Sequence, residues 1–156
     1  LESLGGIANL FLPHRDDVAD ADQYARHFGS RRFIHRDELK SQPAAEVIVD
    51  GTEAHELAPG FVAVPTPGHT AGHMALLFEN RFLFTGDHLE FDRDEQRLAA
   101  SQEYCWFSWP QQIGSVEKLI SYSFEWILPG HGQRVRLPAY EMKRQLSELV
   151  RRMRLK

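Results

Sequence analysis

Cysteine is almost missing from this chain. Cys105 stands alone, so no disulfide can form within the chain, and a reducing, cytoplasmic setting is expected. No apolar run approaches the roughly 18–20 residues of a membrane-spanning helix, so no membrane partner is expected. Excess charge of one sign is also lacking: 18 lysines and arginines face 22 aspartates and glutamates, a net charge of −4. That balance offers no basic footprint for nucleic acid. The basic residues near the end, from Lys143 to Lys156, read as the solvated face of a last helix. Residues 1–6 carry neither the basic nor the apolar part of a signal peptide. With no initiating methionine, the chain reads as a piece of something longer. There is no repeat, low-complexity tract or linker. What remains is 156 residues, 42% hydrophobic, 11% aromatic and 26% charged. That is the composition of one globular domain, read over residues 1–156.

The punctuation of the chain predicts an alternation of strands and helices. Ala8 to Leu12, ended by Pro13, reads as a short buried strand. Val18, Ala21, Ala25 and Phe28 recur at helical spacing after Asp16 and Asp17 and before Gly29. Strands are predicted over 32–35, 46–50, 54–58, 61–64, 73–78, 82–84 and 125–128. The charged segment from Glu90 to Gln102 reads as a loop or exposed excursion. Ser108-Trp109-Pro110 caps a helix to about Ile120, and an amphipathic helix follows Pro138.

Eight histidines are present, several beside glycine or proline at the ends of these strands. Thr66-Pro67-Gly68-His69-Thr70-Ala71-Gly72-His73 joins two strands, Thr85-Gly86-Asp87-His88 ends another, and Pro129-Gly130-His131-Gly132 ends the last. Small residues let the backbone turn sharply there and hold imidazole and carboxylate at a strand edge. Neutral imidazole and carboxylate are ligands for zinc, iron and manganese. Each motif alone is weak. In this order, each after an apolar strand, they point to a metal centre.

These three motifs resemble the later motifs of the metallo-β-lactamase-fold hydrolases, a family that includes the glyoxalase II-like thioesterases. The resemblance runs from Leu10 to the C-terminal helix. It implies an α/β chain folded as an αββα sandwich, here the C-terminal portion of the usual fold with much of the first sheet lacking. The uncovered faces then require a lost leading half or a second copy of the chain. In the family a strand ends in Thr-His-x-His-x-Asp-His. Here the matching segment reads Leu12-Pro13-His14-Arg15-Asp16-Asp17-Val18-Ala19-Asp20. His14 matches the first histidine, Asp16 replaces the second, and Val18 and Ala19 stand where the family has Asp-His. The resemblance implies His69 as the third imidazole ligand, Asp87 as a bridging carboxylate and His131 as the last histidine. Asp20 lies one helical turn on without a motif match.

The resulting ligand set is His14, Asp16, His69, Asp87 and His131, with Asp87 and Asp16 in the catalytic role. It holds one or two divalent ions, zinc first and iron or manganese as alternatives, because Asp16 adds a harder oxygen donor. The expected function is hydrolysis of a small ester, thioester or related bond by a metal-activated water. A mononuclear iron oxygenase resembling the persulfide dioxygenases is one alternative, and a non-catalytic family member used for binding or assembly is the other. Asp16, Asp17 and Asp20 also suit a helix start, with Asp17 and Asp20 as a capping pair. His73 reads as an orienting or packed residue, and His88 as pointing away from Asp87. His27, His35 and His55 read as surface residues. Tyr104, Trp106, Phe107 and Trp109 either line a small-molecule pocket or pack the loop, and Cys105 is a buried thiol among them.

Overall fold

The computed structural model describes residues 1–155. Its first 50 residues build a small parallel sheet of β1 (Asn9–Phe11), β2 (Arg31–His35) and β3 (Val47–Val49), in that order. The remainder builds a six-stranded sheet from β4 (His55–Ala58), β5 (Phe61–Pro65), β6 (Met74–Phe78), β7 (Phe82–Gly86), β10 (Trp126–Pro129) and β11 (Val135–Arg136). Its order is β11-β10-β7-β6-β5-β4. Only β7 and β10 pair in parallel; the other pairs are antiparallel. A first sheet is therefore present, reduced to three short strands.

Side-chain alternation assigns the layers. On β5 and β6, Ala63 and Met74 face Phe11 and Val49 of the small sheet, while Val62, Val64, Ala75 and Leu77 face the other way. The latter meet α2 (Trp109–Leu119) and α3 (Ala139–Met153) through Val116, Leu119, Met142 and Leu146. On the far side of the small sheet, Leu10 and Ile34 pack with Ala21 of α1 (Ala21–Phe28). The outcome is an αββα sandwich whose larger core lies between the six-stranded sheet and α2/α3.

Several local expectations change. The segment after Glu90 is a hairpin, β8 (Glu90–Asp92) and β9 (Arg97–Ala99), rather than an open loop. Phe91 and Leu98 are buried, and α3 supplies the reason: Gln145 accepts from Leu98 N at 2.9 Å and Arg152 donates to Leu98 O at 2.6 Å. The first helix begins at Ala21, not at Val18, because Ala19 adopts a positive φ of 35°. Asp20 makes no capping bond there and instead accepts from Gln23 Nε2, so the Asp17–Asp20 capping pair does not form. His35 is buried, not superficial; its Nε2 meets Gly51 O at 3.0 Å and its Nδ1 accepts from Asp37 N at 3.2 Å. Ser108 caps α2 by accepting from Gln111 N.

One polar cluster anchors the small sheet. The buried Arg32 guanidinium donates to both Glu46 oxygens, Asp22 Oδ1, Gln42 Oε1 and Ala44 O. The Glu46 carboxyl is held at about 2 by Arg32. Arg32→Ala strands the buried Gln42 amide oxygen and leaves Glu46 without its cation, and should cost about 2–4 kcal/mol in urea unfolding. A loss under about 0.5 kcal/mol, as for an ordinary surface change, would refute this.

Candidate metal centre

The carboxyl ends of β5, β7 and β10 lie on one edge of the large sheet, because β5 and β7 each run antiparallel to β6 and β10 runs parallel to β7. Each is followed by one of the glycine-containing motifs, so His69, Asp87 and His131 converge without long-range bending. His14 arrives from the small sheet, and Met74 N donating to Pro13 O at 2.8 Å ties its segment to β6. At Gly72 a side chain has no room: a Cβ would stand 2.7 Å from both Glu38 Cγ and His35 Nδ1. Its N–H donates to the buried Glu38 carboxylate at 2.7 Å, which braces the loop carrying His69.

Asp87 is the hub. Its Oδ2 lies 3.5 Å from His14 Nε2 and 3.9 Å from His69 Nε2, and its Oδ1 accepts from His131 Nδ1 at 2.7 Å. His14 and His69 meet edge to face with ring centroids 4.7 Å apart. His69 Nδ1 donates to Tyr104 O at 2.6 Å, which leaves the lone pair on Nε2. The buried Nε2 atoms of His14 and His69 have no aligned hydrogen-bond partner, although carboxylate oxygens are near. Two orphaned imidazole nitrogens converging on one carboxylate oxygen is a donor set that fits a divalent ion. His14, His69 and Asp87 offer ligand atoms within 4.8 Å of one another, and so do Asp17, Asp87 and His131.

Asp16 does not join this group. Residues Arg15–Asp17 form a 3-10 turn, and His14 at its start accepts from Asp16 N through Nδ1. Asp16 thereby points outward, 59% exposed and 3.8 Å from the far side of the ring. The same turn swings Asp17, three residues after His14, back under it, with Oδ2 3.1 Å from His14 Nε2. Asp17, which the sequence offers only as part of a helix start, is thus the carboxylate that this turn brings beside His14. Asp20 lies exposed, outside both clusters.

The electrostatics follow from these neighbours. Burial opposes ionisation of Asp87, but His14 and His131 outweigh it and hold the carboxyl at about 2. Burial likewise opposes charge on His14, yet Asp87, Asp17 and Asp16 raise its pKa. His131 is raised by Asp87, and His69 is lowered by burial and by His14. His73 and His88 are fully enclosed and stacked with centroids 5.2 Å apart. Burial pushes His73 well down and His88 to about 3. Thr66 Oγ1 bonds His73 Nδ1 at 2.9 Å, so His73 is a packed residue behind the centre.

Beside Asp87 opens a cavity of about 430 Å³, bounded by His69, His131, Leu89, Ala100, Tyr104 and Trp106. Cys105, half-buried between the two aromatics, donates to Gly68 O, and burial raises its pKa.

The fold agrees with the family matches. The metallo-beta-lactamase superfamily model matches residues 7–131, and the chain belongs to that superfamily. It is 32% identical over 76 residues to a hydroxyacylglutathione hydrolase of Erwinia tasmaniensis, covering 49% of this chain and 30% of that protein. The chain thus matches under a third of the length of that relative. Among solved structures, the metallo-beta-lactamase FIM-1 of Pseudomonas aeruginosa in its mono-zinc form superposes with a TM-score of 0.67 at 18% identity. The match covers 96% of this chain and 69% of that one. TTHA1623 in a di-iron-bound form gives 0.63 at 20% identity, over 86% and 75%. Both show the shared fold. Among the described residues, no helix is long and apolar enough to cross a membrane.

Proposed function

We propose that the chain is the metal-binding part of a hydrolase for a small ester, thioester or related bond. The observation that carries this reading is the convergence of the unpartnered His14 and His69 Nε2 atoms on Asp87 Oδ2. His14, His69 and Asp87 would hold one divalent ion, and Asp17, Asp87 and His131 a second. Zinc is the first candidate; the carboxylate-rich second group also suits iron or manganese. Such ions supply Lewis acidity and an acidified water as nucleophile. Asp87, ionised throughout the neutral range, accepts hydrogen bonds and neutralises positive charge at the hub. Tyr104 O fixes the His69 tautomer, while Glu38 and Gly72 hold the loop in place. Substrate enters through the cavity on the His131 side.

The test is elemental analysis of protein purified without chelator or affinity metal, followed by thioester hydrolysis with and without chelator. About one or two equivalents of metal and chelator-sensitive turnover are expected. Iron with oxygen consumption and no hydrolysis would shift the reading to an oxygenase. No metal, even after adding it back, would defeat it. Within the turn, Asp17→Asn should lower metal affinity about tenfold or more, while Asp16→Asn should change it less than about threefold. Equal losses in a competition titration would return Asp16 to the ligand set.

A further inference from the structure

We infer that the cleft beyond Gly132 is an anion subsite, in which Arg93 and Arg134 receive a carboxylate or phosphate at the far end of the substrate; this rests on the hydrolase reading above. The cavity beside Asp87 does not end at His131. Gly132 belongs to its wall and also to that of a neighbouring cleft of about 330 Å³, bounded further by Arg93, Leu128, Pro129, Gln133 and Arg134. The shared residue has no side chain to part the two spaces, and its φ of 97° is the left-handed backbone that glycine tolerates. The Glu90 carboxylate lies where a Cβ would stand, so Gly132 cannot be replaced without moving it. Glu90 borders the cavity, whereas the two arginines border the cleft, so the fixed side-chain charge changes sign along this path. A molecule with its reacting bond at the centre can cross Gly132 and place its other end between the guanidinium groups.

The two arginines come from distant parts of the chain and are held together by backbone bonds. Arg93 sits in the β8–β9 turn and Arg134 directly precedes β11. Phe91 N donates to Gln133 O at 2.9 Å, and Gln133 N donates to Glu90 Oε2 at 3.3 Å, which fastens the hairpin to the segment after His131. The turn itself is ordered: Asp92 Oδ1 accepts from Asp94 N and Glu95 N, and Gln96 Nε2 donates to Arg93 O at 2.7 Å. Neighbouring carboxylates are engaged with other groups, Asp92 with those amides, Glu95 with Arg97 and Glu125 with Arg136. Two cations on one cleft repel each other, and an anion between them turns that repulsion into attraction. Guanidinium matches the paired oxygens of carboxylate and phosphate, and the apolar wall of Leu128 and Pro129 strengthens the pairing relative to open water.

The experiment uses metal-loaded protein and two thioethers that differ only at one end, ω-(butylthio)hexanoate and ω-(butylthio)hexanamide, in calorimetric titrations. The carboxylate should bind about tenfold more tightly than the amide. A variant carrying both Arg93→Gln and Arg134→Gln should cut that preference to about threefold or less with metal content retained. Arg97→Gln, a loss of charge on the same hairpin outside the cleft, should leave the preference within about twofold of wild type. A carboxylate that ligated an ion of the centre instead would keep its advantage in the double variant. That result overturns the inference, as do an equal loss in Arg97→Gln, no preference in the wild type, or no binding of either probe. Chelator-sensitive turnover of the butanoyl thioesters of ω-mercaptohexanoate and ω-mercaptohexanamide separates the two readings. Hydrolysis of both without preference keeps the hydrolase and removes the subsite; arginine-dependent binding without any hydrolysis does the reverse.

Discussion

Asp87→Ala and His69→Ala should each lower the metal content of the purified protein several-fold, and His55→Ala should leave it unchanged. Asp87 is shared by both candidate ligand groups, so its loss removes a donor from each. Changing a residue that merely orients a ligand costs about 10–100-fold in metal affinity, and a donor common to two groups should cost at least that. His69 contributes to one group only, so its replacement should spare the Asp17, Asp87 and His131 set and leave weak residual binding. His55, by contrast, reaches only the Asp50 carbonyl, at 3.0 Å. Plasma mass spectrometry of the three variants decides the matter; equal metal in all would remove the assignment of the centre.

Metal-free protein should also lose stability as the pH falls below about 6.5, and His88→Leu should remove much of that loss. His88 is 1% exposed, neither of its ring nitrogens has a partner, and its pKa in the fold is about 3. Its ordinary value lies above that, so between about 3 and 6.5 the unfolded chain binds the extra proton. Stability therefore falls with pH across this window. At about pH 4.5, two units below the ordinary value, the His88 contribution comes to roughly 2–3 kcal/mol. His73 acts in the same direction. His14 and His131 act oppositely, because their raised values stabilise the fold below about 6.5 and that contribution is lost as pH rises through them. The informative quantity is thus the difference between wild type and variant in urea unfolding at about pH 7 and about pH 4.5. Identical pH dependence in the two proteins would rule out His88 as the source.

Much of the architecture is legible in the sequence because its signals are local. Short β-branched and aromatic runs bounded by glycine or proline mark the strands, and Ser108-Trp109-Pro110 marks α2. The same locality places His69, Asp87 and His131 at strand ends, where the fold brings them to one edge. The choice between Asp16 and Asp17 is of another kind: neighbouring carboxylates are equivalent in composition, and only the 3-10 turn after His14 turns one inward and the other out. The β8–β9 hairpin escapes a local reading because Phe91 and Leu98 sit among charges and are buried by α3, about fifty residues later. His35 is concealed for a similar reason, being enclosed by Gly51 and Gly72 from other parts of the chain.

The placement of His14 has a consequence for assembly. It comes from the small sheet, while His69, Asp87 and His131 come from the large one, and the apolar layer between the sheets includes Phe11, Val49, Leu57, Ala63 and Met74. Both candidate groups draw a donor from the segment after the small sheet's first strand, His14 in one and Asp17 in the other. An ion held there would therefore require the two sheets to be docked, and its binding energy would be added to the contact between them rather than to either half.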